Sequence, residues 1–377
     1  TSQQVVNRPY QETSSRVSGS EIISSNSKTS YNGNYGLNAS WTLYNGNKRL
    51  KTIQQEKLNN QVAELDVATS ENNIQESIAQ VYIQILYAAE SVKVNESTLQ
   101  VSIAQRDRGQ ELLNAGSIAK SDFAQLEAQV STDRYQLVTA QATLEDYKLQ
   151  LKQLLELDGE NEMNIYLPAL SDENVLAPLP TKKDVYIRAL SLRPEIEASK
   201  LNVEASELGI GIAKSSYLPT ISLSAGIGTN HTSGSDFTFG EQVKNGWNNS
   251  IGLSVSVPIF NNRQTKSAVQ KAKLQYETSM LSLLDEQKTL YKTIEGLWLD
   301  ANSAQQRYAA ANEKLKSTQI SYELISEQFN LGMKNTIELL TEKNNLLQAQ
   351  QEQLQAKYMA ILNMQLLKFY QGDQLAI

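Results

Sequence analysis

Apolar positions in this chain repeat with two periods, and the two alternate along it. From Tyr31, "YNGNYGLNASWTLY" steps by two. Tyr31, Tyr35, Leu37, Ala39, Trp41 and Leu43, with Gly33, share one side; Asn32, Asn34, Asn38, Ser40 and Thr42 share the other. "ISLSAGIG" sets Ile221, Leu223, Ala225 and Ile227 against serines and glycines. "IGLSVSVPIF" sets Ile251, Leu253, Val255, Val257 and Ile259 against Gly252, Ser254, Ser256, Pro258 and Phe260. Period two means a strand with one apolar and one polar face.

Elsewhere the step is three and four. Ile294, Leu297, Ala301, Ala304, Tyr308, Ala311, Leu315, Thr318, Tyr322, Ile325 and Phe329 keep it without a slip. That is a coiled-coil seam with left-handed supercoiling. Ile78, Val81, Ile85, Ala88, Val92 and Leu99 keep the same step upstream, after which it weakens. Both runs end at a glycine turn: Asn330 and Gly332 lie 216 positions after Asn114 and Gly116. The same offset, without gaps, aligns Leu37 with Leu253, Ser40 with Ser256, Ile78 with Ile294, Leu99 with Leu315 and Ala140 with Ala356. The chain is therefore read as a duplicated strand–helix–helix unit.

Helices from about Asn47 to Leu113 and about Arg263 to Leu331 would each run about 100 Å. Each reverses at its glycine, which accepts left-handed backbone angles, and returns through a helix ending near Leu157 or Tyr370. Ser117 or Ser121, and Asn335 or Thr336, are the candidate caps of the returning helices. Of seven prolines, none lies between Gln11 and Leu167 and none follows Pro258, which suits long helices. The expected organisation is a first strand hairpin over 1–44, N-terminally incomplete, then a helical hairpin over 45–157 and a connector over 158–180. A helix over 181–217, a second strand hairpin over 218–260, a second helical hairpin over 261–370 and a tail over 371–377 complete it.

The strands admit two readings: a small sheet on a soluble core, or segments of a transmembrane β-barrel. The polar face is small and uncharged, as a water-filled lumen allows. Tyr31, Trp41, Tyr44, Trp247 and Phe260 gather at strand ends, where an interfacial girdle would place them. Three or four strands cannot close a barrel, and lipid tolerates no open edge, so several chains would have to share one.

Composition removes other classes. The net charge of −7 comes without a basic block, so nucleic-acid binding has no footprint. Cysteine is absent, which removes disulfides, thiolate metal sites and thiol catalysis. The one histidine, His231, sits in a polar stretch and is read as a solvated loop residue. No apolar run is long enough for a membrane-spanning helix. No phosphate loop, metal cluster or cofactor motif is present, and the chain is not read as an enzyme.

Together, the duplication, the strand exit "SVPIFNN" and the turns "NAGSIAKSDFAQLEAQ" and "NLGMKNTIELL" resemble the outer-membrane factor (TolC-like) family over nearly the whole chain. The resemblance implies a mainly α protein with membrane β structure. It implies a homotrimer whose three chains build one 12-stranded barrel, continued by an α-helical coiled-coil barrel. It implies a passive conduit, in the outer membrane of a Gram-negative bacterium and extending into the periplasm, for a tripartite efflux pump or type I secretion system. The implied partners are outer-membrane lipid, a periplasmic adaptor and an inner-membrane efflux transporter, with no bound cofactor. Leu37, Trp41, Leu43, Ile221, Leu223, Leu253, Val255 and Val257 would then face lipid. Gly116, Ser117, Gly332, Met333 and Asn335 would form the periplasmic tip that meets the adaptor.

In that family an Asp of the first turn bonds a Tyr and an Arg around the second and holds the tip shut. Asp122 keeps the Asp; Lys334 stands for the Arg and lacks its planar fork; Phe329 stands for the Tyr and lacks its hydroxyl. Two acidic rings that narrow the pore correspond to Glu338 and Thr341, the second without its charge but next to Glu342. Asp122 equally suits a first-turn acid on the helix dipole, Lys334 a solvated turn lysine, and Glu338 a surface glutamate. The alternative function is a periplasmic coiled-coil adaptor or scaffold that enters no membrane.

Overall fold

The structure, a computed structural model, describes residues 15–18, 21–24, 31–157, 165–166, 175–233 and 236–375. Most of the expected connector and the first part of the 1–44 hairpin lie outside these residues. The elements run β1 (Ser15–Ser18), β2 (Glu21–Ser24), β3 (Asn32–Asn45), α1 (Lys48–Asn114), α2 (Lys120–Leu154), α3 (Lys182–Leu192), α4 (Pro194–Lys214), β4 (Thr220–Thr232), α5 (Phe239–Asn245), β5 (Asn248–Ser256), α6 (Gln264–Asn330) and α7 (Thr336–Tyr370). They fall into two compact units, residues 1–59 with 202–279 and residues 60–201 with 280–377.

The first unit holds a three-stranded antiparallel sheet in the order β3-β4-β5, while β1 and β2, among the described residues, pair with each other and not with that sheet. β4 runs Thr220–Thr232, longer than "ISLSAGIG" suggests. β5 stops at Ser256, so Val257, expected on the lipid face, lies just beyond the strand. Pro258 cannot donate to a ladder, which accounts for the early end. A bulge between Thr42 and Tyr44 leaves Leu43 as the extra residue and puts Tyr44 opposite Ile221.

β3 and β5 each pass to the long helix that follows through two successive left-handed residues. These are Gly46 (φ 66°) and Asn47 (φ 61°) in the first copy, Asn262 (φ 48°) and Arg263 (φ 62°) in the second. A Cβ on Gly46 would also lie 2.8 Å from the Ser215 carbonyl oxygen, so that position needs glycine for room as well.

The second unit is helical. α1 and α6 contain 67 residues each, α2 and α7 35 each. The seam read from the sequence is the buried side of α6: Ile294, Ala301, Ala304, Tyr308, Ala311 and Phe329 are all buried. α1 departs from expectation because it is covered on more than one side. Ile85, Ala88 and Leu99 of the expected seam are buried, and so are Ala79, Ile83, Leu86 and Ala89 beside it. Ile83 and Leu86 meet Ala304 and Tyr308 of α6 and Tyr358, Ile361 and Leu362 of α7 in one cluster. A second cluster joins Val185 and Ala189 of α3, Ile196 of α4, Leu290 and Ile294 of α6 and Leu367 of α7.

The expected helix over 181–217 is two helices and a 3-10 turn at Ser215–Tyr217. Arg193 is extended (ψ 123°) because Pro194 follows it. Its buried guanidinium bonds Glu195 at 2.8 Å and Glu76 at 3.2 Å and lies 4.2 Å from the Tyr370 ring centre, tying α1, α4 and α7 together.

All four long helices end in the same left-handed turn. The Gly116 N–H donates to the Leu113 carbonyl (3.0 Å) and the Ser117 N–H to that of Leu112 (2.8 Å). Gly332 and Met333 repeat this on Phe329 (2.9 Å) and Gln328 (2.8 Å). Gly116 and Gly332 have φ of 73° and 74°. These are Schellman turns, in which two otherwise unbonded carbonyls of the last turn are satisfied.

Candidate functional site

Two places carry the chemistry: the faces of the sheet and the tip ends of the helical hairpins. In the sheet the register lines up three apolar rows. Trp41, Leu223 and Leu253 lie side by side, then Ala39, Ala225 and Ile251, then Tyr44, Ile221 and Val255. The alternate rows are Ser40, Ser224 and Gly252; Asn38, Gly226 and Ser250; Thr42, Ser222 and Ser254. Neither set of rows contains a charge. Among the described residues the apolar rows are left largely open: Leu253 is 66% exposed and Trp41 62%. A contiguous apolar surface of this kind marks contact with lipid or another chain. On the polar side Ser224 donates to the Gly252 carbonyl (3.2 Å).

At the far end of the sheet, β4 outruns β5. Gln242 of α5 accepts from the Thr232 N–H (2.8 Å) and donates to the Thr232 carbonyl (3.1 Å), taking the place of the absent strand. Phe239 packs edge-on against His231, with ring centres 5.0 Å apart. His231 is therefore the end of a strand under an aromatic ring, not the solvated loop residue expected.

At the hairpin tips Asp122, Lys334, Asn335 and Glu338 bond within their own turns. Asp122 accepts from the Ala119 N–H at 3.3 Å, at the start of α2. Neither Ser117 nor Ser121 caps α2; the cap position is Ala119, which has no side-chain acceptor. Asn335 does cap α7, accepting from the Glu338 N–H (2.9 Å), and Glu338 accepts in return from the Asn335 N–H (3.2 Å). Lys334 pairs with Glu338 at 2.5 Å. That bond, helped by the Asn335 N–H, holds the Glu338 carboxyl below its usual range. Phe329 is buried, Thr341 donates to the Ile337 carbonyl (2.8 Å), and Met333 is exposed.

Sequence reasoning missed one cluster. Lys343 of α7 donates to Asp133 of α2 and to Ser102 of α1, and Ser102 donates to Asp133. Gln129 donates to the other Asp133 oxygen at 2.9 Å. Asp133 and Lys343 keep 1% and 3% of their exposure. Burial pulls the Lys343 ammonium below its usual range, against the attraction of Asp133. The only signal in the sequence was a charge on the buried side of each helix, and first-copy periodicity was too weak to define that side.

The hairpins also carry matching grooves. One, of ≈ 680 Å³, lies along α1 and α2, and Asn344, Leu347 and Gln351 of α7 help to line it. The other, of ≈ 520 Å³, lies along α6 and α7, with Ala304, Ala311 and Ala356 at the repeat positions of Ala88, Asn95 and Ala140.

The family model for outer membrane efflux proteins matches residues 8–156 and 185–372. The chain belongs to the outer membrane efflux protein family. Its two matched segments correspond to the two copies of the repeat. Among relatives, the outer membrane efflux protein BepC of Brucella suis is 24% identical over 290 residues, 76% of this chain and 60% of that protein. The outer membrane protein TolC of Escherichia coli is 23% identical over 311 residues, 80% of this chain and 62% of that protein. The chain thus aligns with somewhat under two thirds of the length of these efflux proteins. The fold of CusC, described in work on transmembrane channel formation, superposes with a TM-score of 0.79 at 20% identity, over 99% of this chain and 84% of that one.

Proposed function

We propose that this chain is the outer-membrane channel of a tripartite efflux pump or type I secretion system in a Gram-negative bacterium. The observation that carries this reading is the sheet: three strands, one face apolar and one small and polar, no charge in the paired rows, and the outer edges of β3 and β5 without a ladder partner among the described residues. Such a sheet is stable in lipid only if its edges are closed by other copies. The apolar rows face hydrocarbon and the serine, asparagine and glycine rows face a water-filled lumen.

The assembly is a homotrimer. The internal repeat supports this: α7 residues Asn344 and Leu347 help to line the first groove, while their equivalents Ala128 and Ser131 on α2 are exposed. A neighbouring copy's α2 would cover the second groove as α7 covers the first. Such a head-to-tail contact makes a ring when its rotation closes, as a shared barrel requires. Twelve strands from three chains require four per chain, of which three lie in the sheet described above. Asp122, Phe329 and Lys334 lie at the closing end, with Glu338 and Thr341 just inside. Gly116, Ser117, Gly332, Met333 and Asn335 form the surface offered to a periplasmic adaptor, and an inner-membrane transporter supplies the energy.

The test is reconstitution. Purified protein should need detergent, have the mass of a trimer and form pores in planar bilayers. Leu253→Arg should prevent insertion, since a cation on the lipid face costs about 2–4 kcal/mol near the midplane. Ser254→Arg, on the lumen face, should insert and change ion selectivity. A soluble monomer, or equal insertion of the two variants, would refute the reading.

A further inference from the structure

Asp133, Ser102 and Lys343 join three helices and both hairpins, since α1 and α2 belong to the first and α7 to the second. All three side chains are buried. Packing gives no reason for an ion pair here. Removing two charges from water costs about as much as their attraction returns, and an apolar pair of similar volume often holds helices as well or better. A buried pair does favour one arrangement sharply over those in which a single charge stays dry. It also permits a second state at low cost, with the helices parted and both charges in water.

The internal repeat indicates that the pair is not a by-product of the coiled coil. The positions equivalent to Ser102, Asp133 and Lys343 are Thr318, Ala349 and Glu127, which contain no opposite charges. Charges nearer the tip are engaged locally: Lys334 of the turn with Glu338 in the first turn of α7, Asp122 with the start of α2. Close by, Gln105 of α1 donates to the Tyr322 hydroxyl of α6 at 2.8 Å, a neutral bond across the same two hairpins.

We infer that Lys343, Asp133 and Ser102 form the lock that holds the second hairpin on the first, and that the conduit opens when Lys343 leaves Asp133. The inference rests on the channel reading above. Lys343 acts as a positioning residue: it sets the width of the path without contacting what passes.

Single-channel recordings of the purified, full-length protein in planar bilayers test this. Lys343→Met and Asp133→Asn should raise conductance severalfold in assembled particles. The exchanged pair, Asp133→Lys with Lys343→Asp, should return it toward the wild-type value. A residue that served only packing would lower the melting temperature and leave conductance unchanged, and that result would overturn the lock. Ser102→Ala leaves no charge unpaired and decides the case if the charge variants fail to assemble. Raised conductance supports the lock; unchanged conductance ends it. A wild-type protein that forms no pore would instead remove the channel reading and the lock with it.

Discussion

Asn335 caps α7 through its side chain, whereas 216 residues earlier Ala119 offers α2 nothing but its backbone. The same comparison can be made down the length of the two hairpins. Gly372 takes the left-handed position after α7, while its equivalent after α2 is Glu156, held at φ 51°. Phe329 is buried at the second tip, and its equivalent Leu113 is only half-buried at the first. Lys343 reaches across to the first hairpin, whereas its equivalent Glu127 is exposed. The backbone course is repeated closely, down to the paired bonds of each reversal, and the side chains around it have diverged. The second hairpin carries the better caps, the buried aromatic and the buried cation. The duplication fixed the shape, and the difference in side chains is what can make one hairpin hold the other.

The largest effect should come from the apolar side chains at the two tips. Phe329→Ala removes a buried ring and should cost about 3–5 kcal/mol. Leu113→Ala should cost less than half as much, because its side chain is already partly in solvent. Denaturant unfolding followed by helical circular dichroism would measure both. Equal losses would mean that the two tips pack alike and would break the comparison.

Backbone features of the fold could be read from the sequence to within a few residues, because each rests on a strong local rule. The glycine turns, the 3-4 seam of α6 and the alternation of β3 and β4 are of this kind. The misses have local causes as well. Pro194 splits the helix over 181–217, Pro258 cuts β5 short of Val257, and a bulge displaces Leu43. Side-chain pairing at the tips was harder to read. Whether Asp122 turns toward a partner hairpin or its own N-terminus depends on tertiary geometry that spacing does not encode. Lys343 and Asp133 lie 210 positions apart, and nothing in either local pattern marks them as a pair.

A smaller effect belongs to the helix ends. A non-glycine residue in the left-handed region costs roughly 1–2 kcal/mol, and glycine there avoids the cost at some loss of chain entropy. Glu156→Gly should therefore stabilise the first hairpin by about 1 kcal/mol. Gly372→Ala should destabilise the second by more than that, since an added Cβ would meet Leu192 Cδ1 at 2.6 Å as well. Thermal melts of the two variants would read opposite signs. A loss from Glu156→Gly would show that the Glu156 side chain contributes something its backbone position conceals.

The smallest effect concerns charge rather than stability. Glu338 is the repeat equivalent of Asp122, but it also has Lys334 beside it, and that contact is the main cause of its lowered pKa. A lowered carboxyl pKa means the ionised form persists as pH falls through the usual carboxylate range. In the proposed channel Glu338 would therefore keep its negative charge, and any cation preference it confers, at pH values where an ordinary glutamate is neutral. Lys334→Gln removes the cause, so the pKa should rise toward its ordinary value and cation preference should fade at a higher pH than in the wild type. Reversal potentials in a salt gradient, recorded from neutral pH down through the carboxylate range, would measure the displacement. Identical profiles for wild type and Lys334→Gln would place the selective charge elsewhere than Glu338, with neighbouring Glu342 the next residue to test. A shift in the opposite direction would mean that Lys334, rather than the carboxylate it pairs with, dominates the field in the pore.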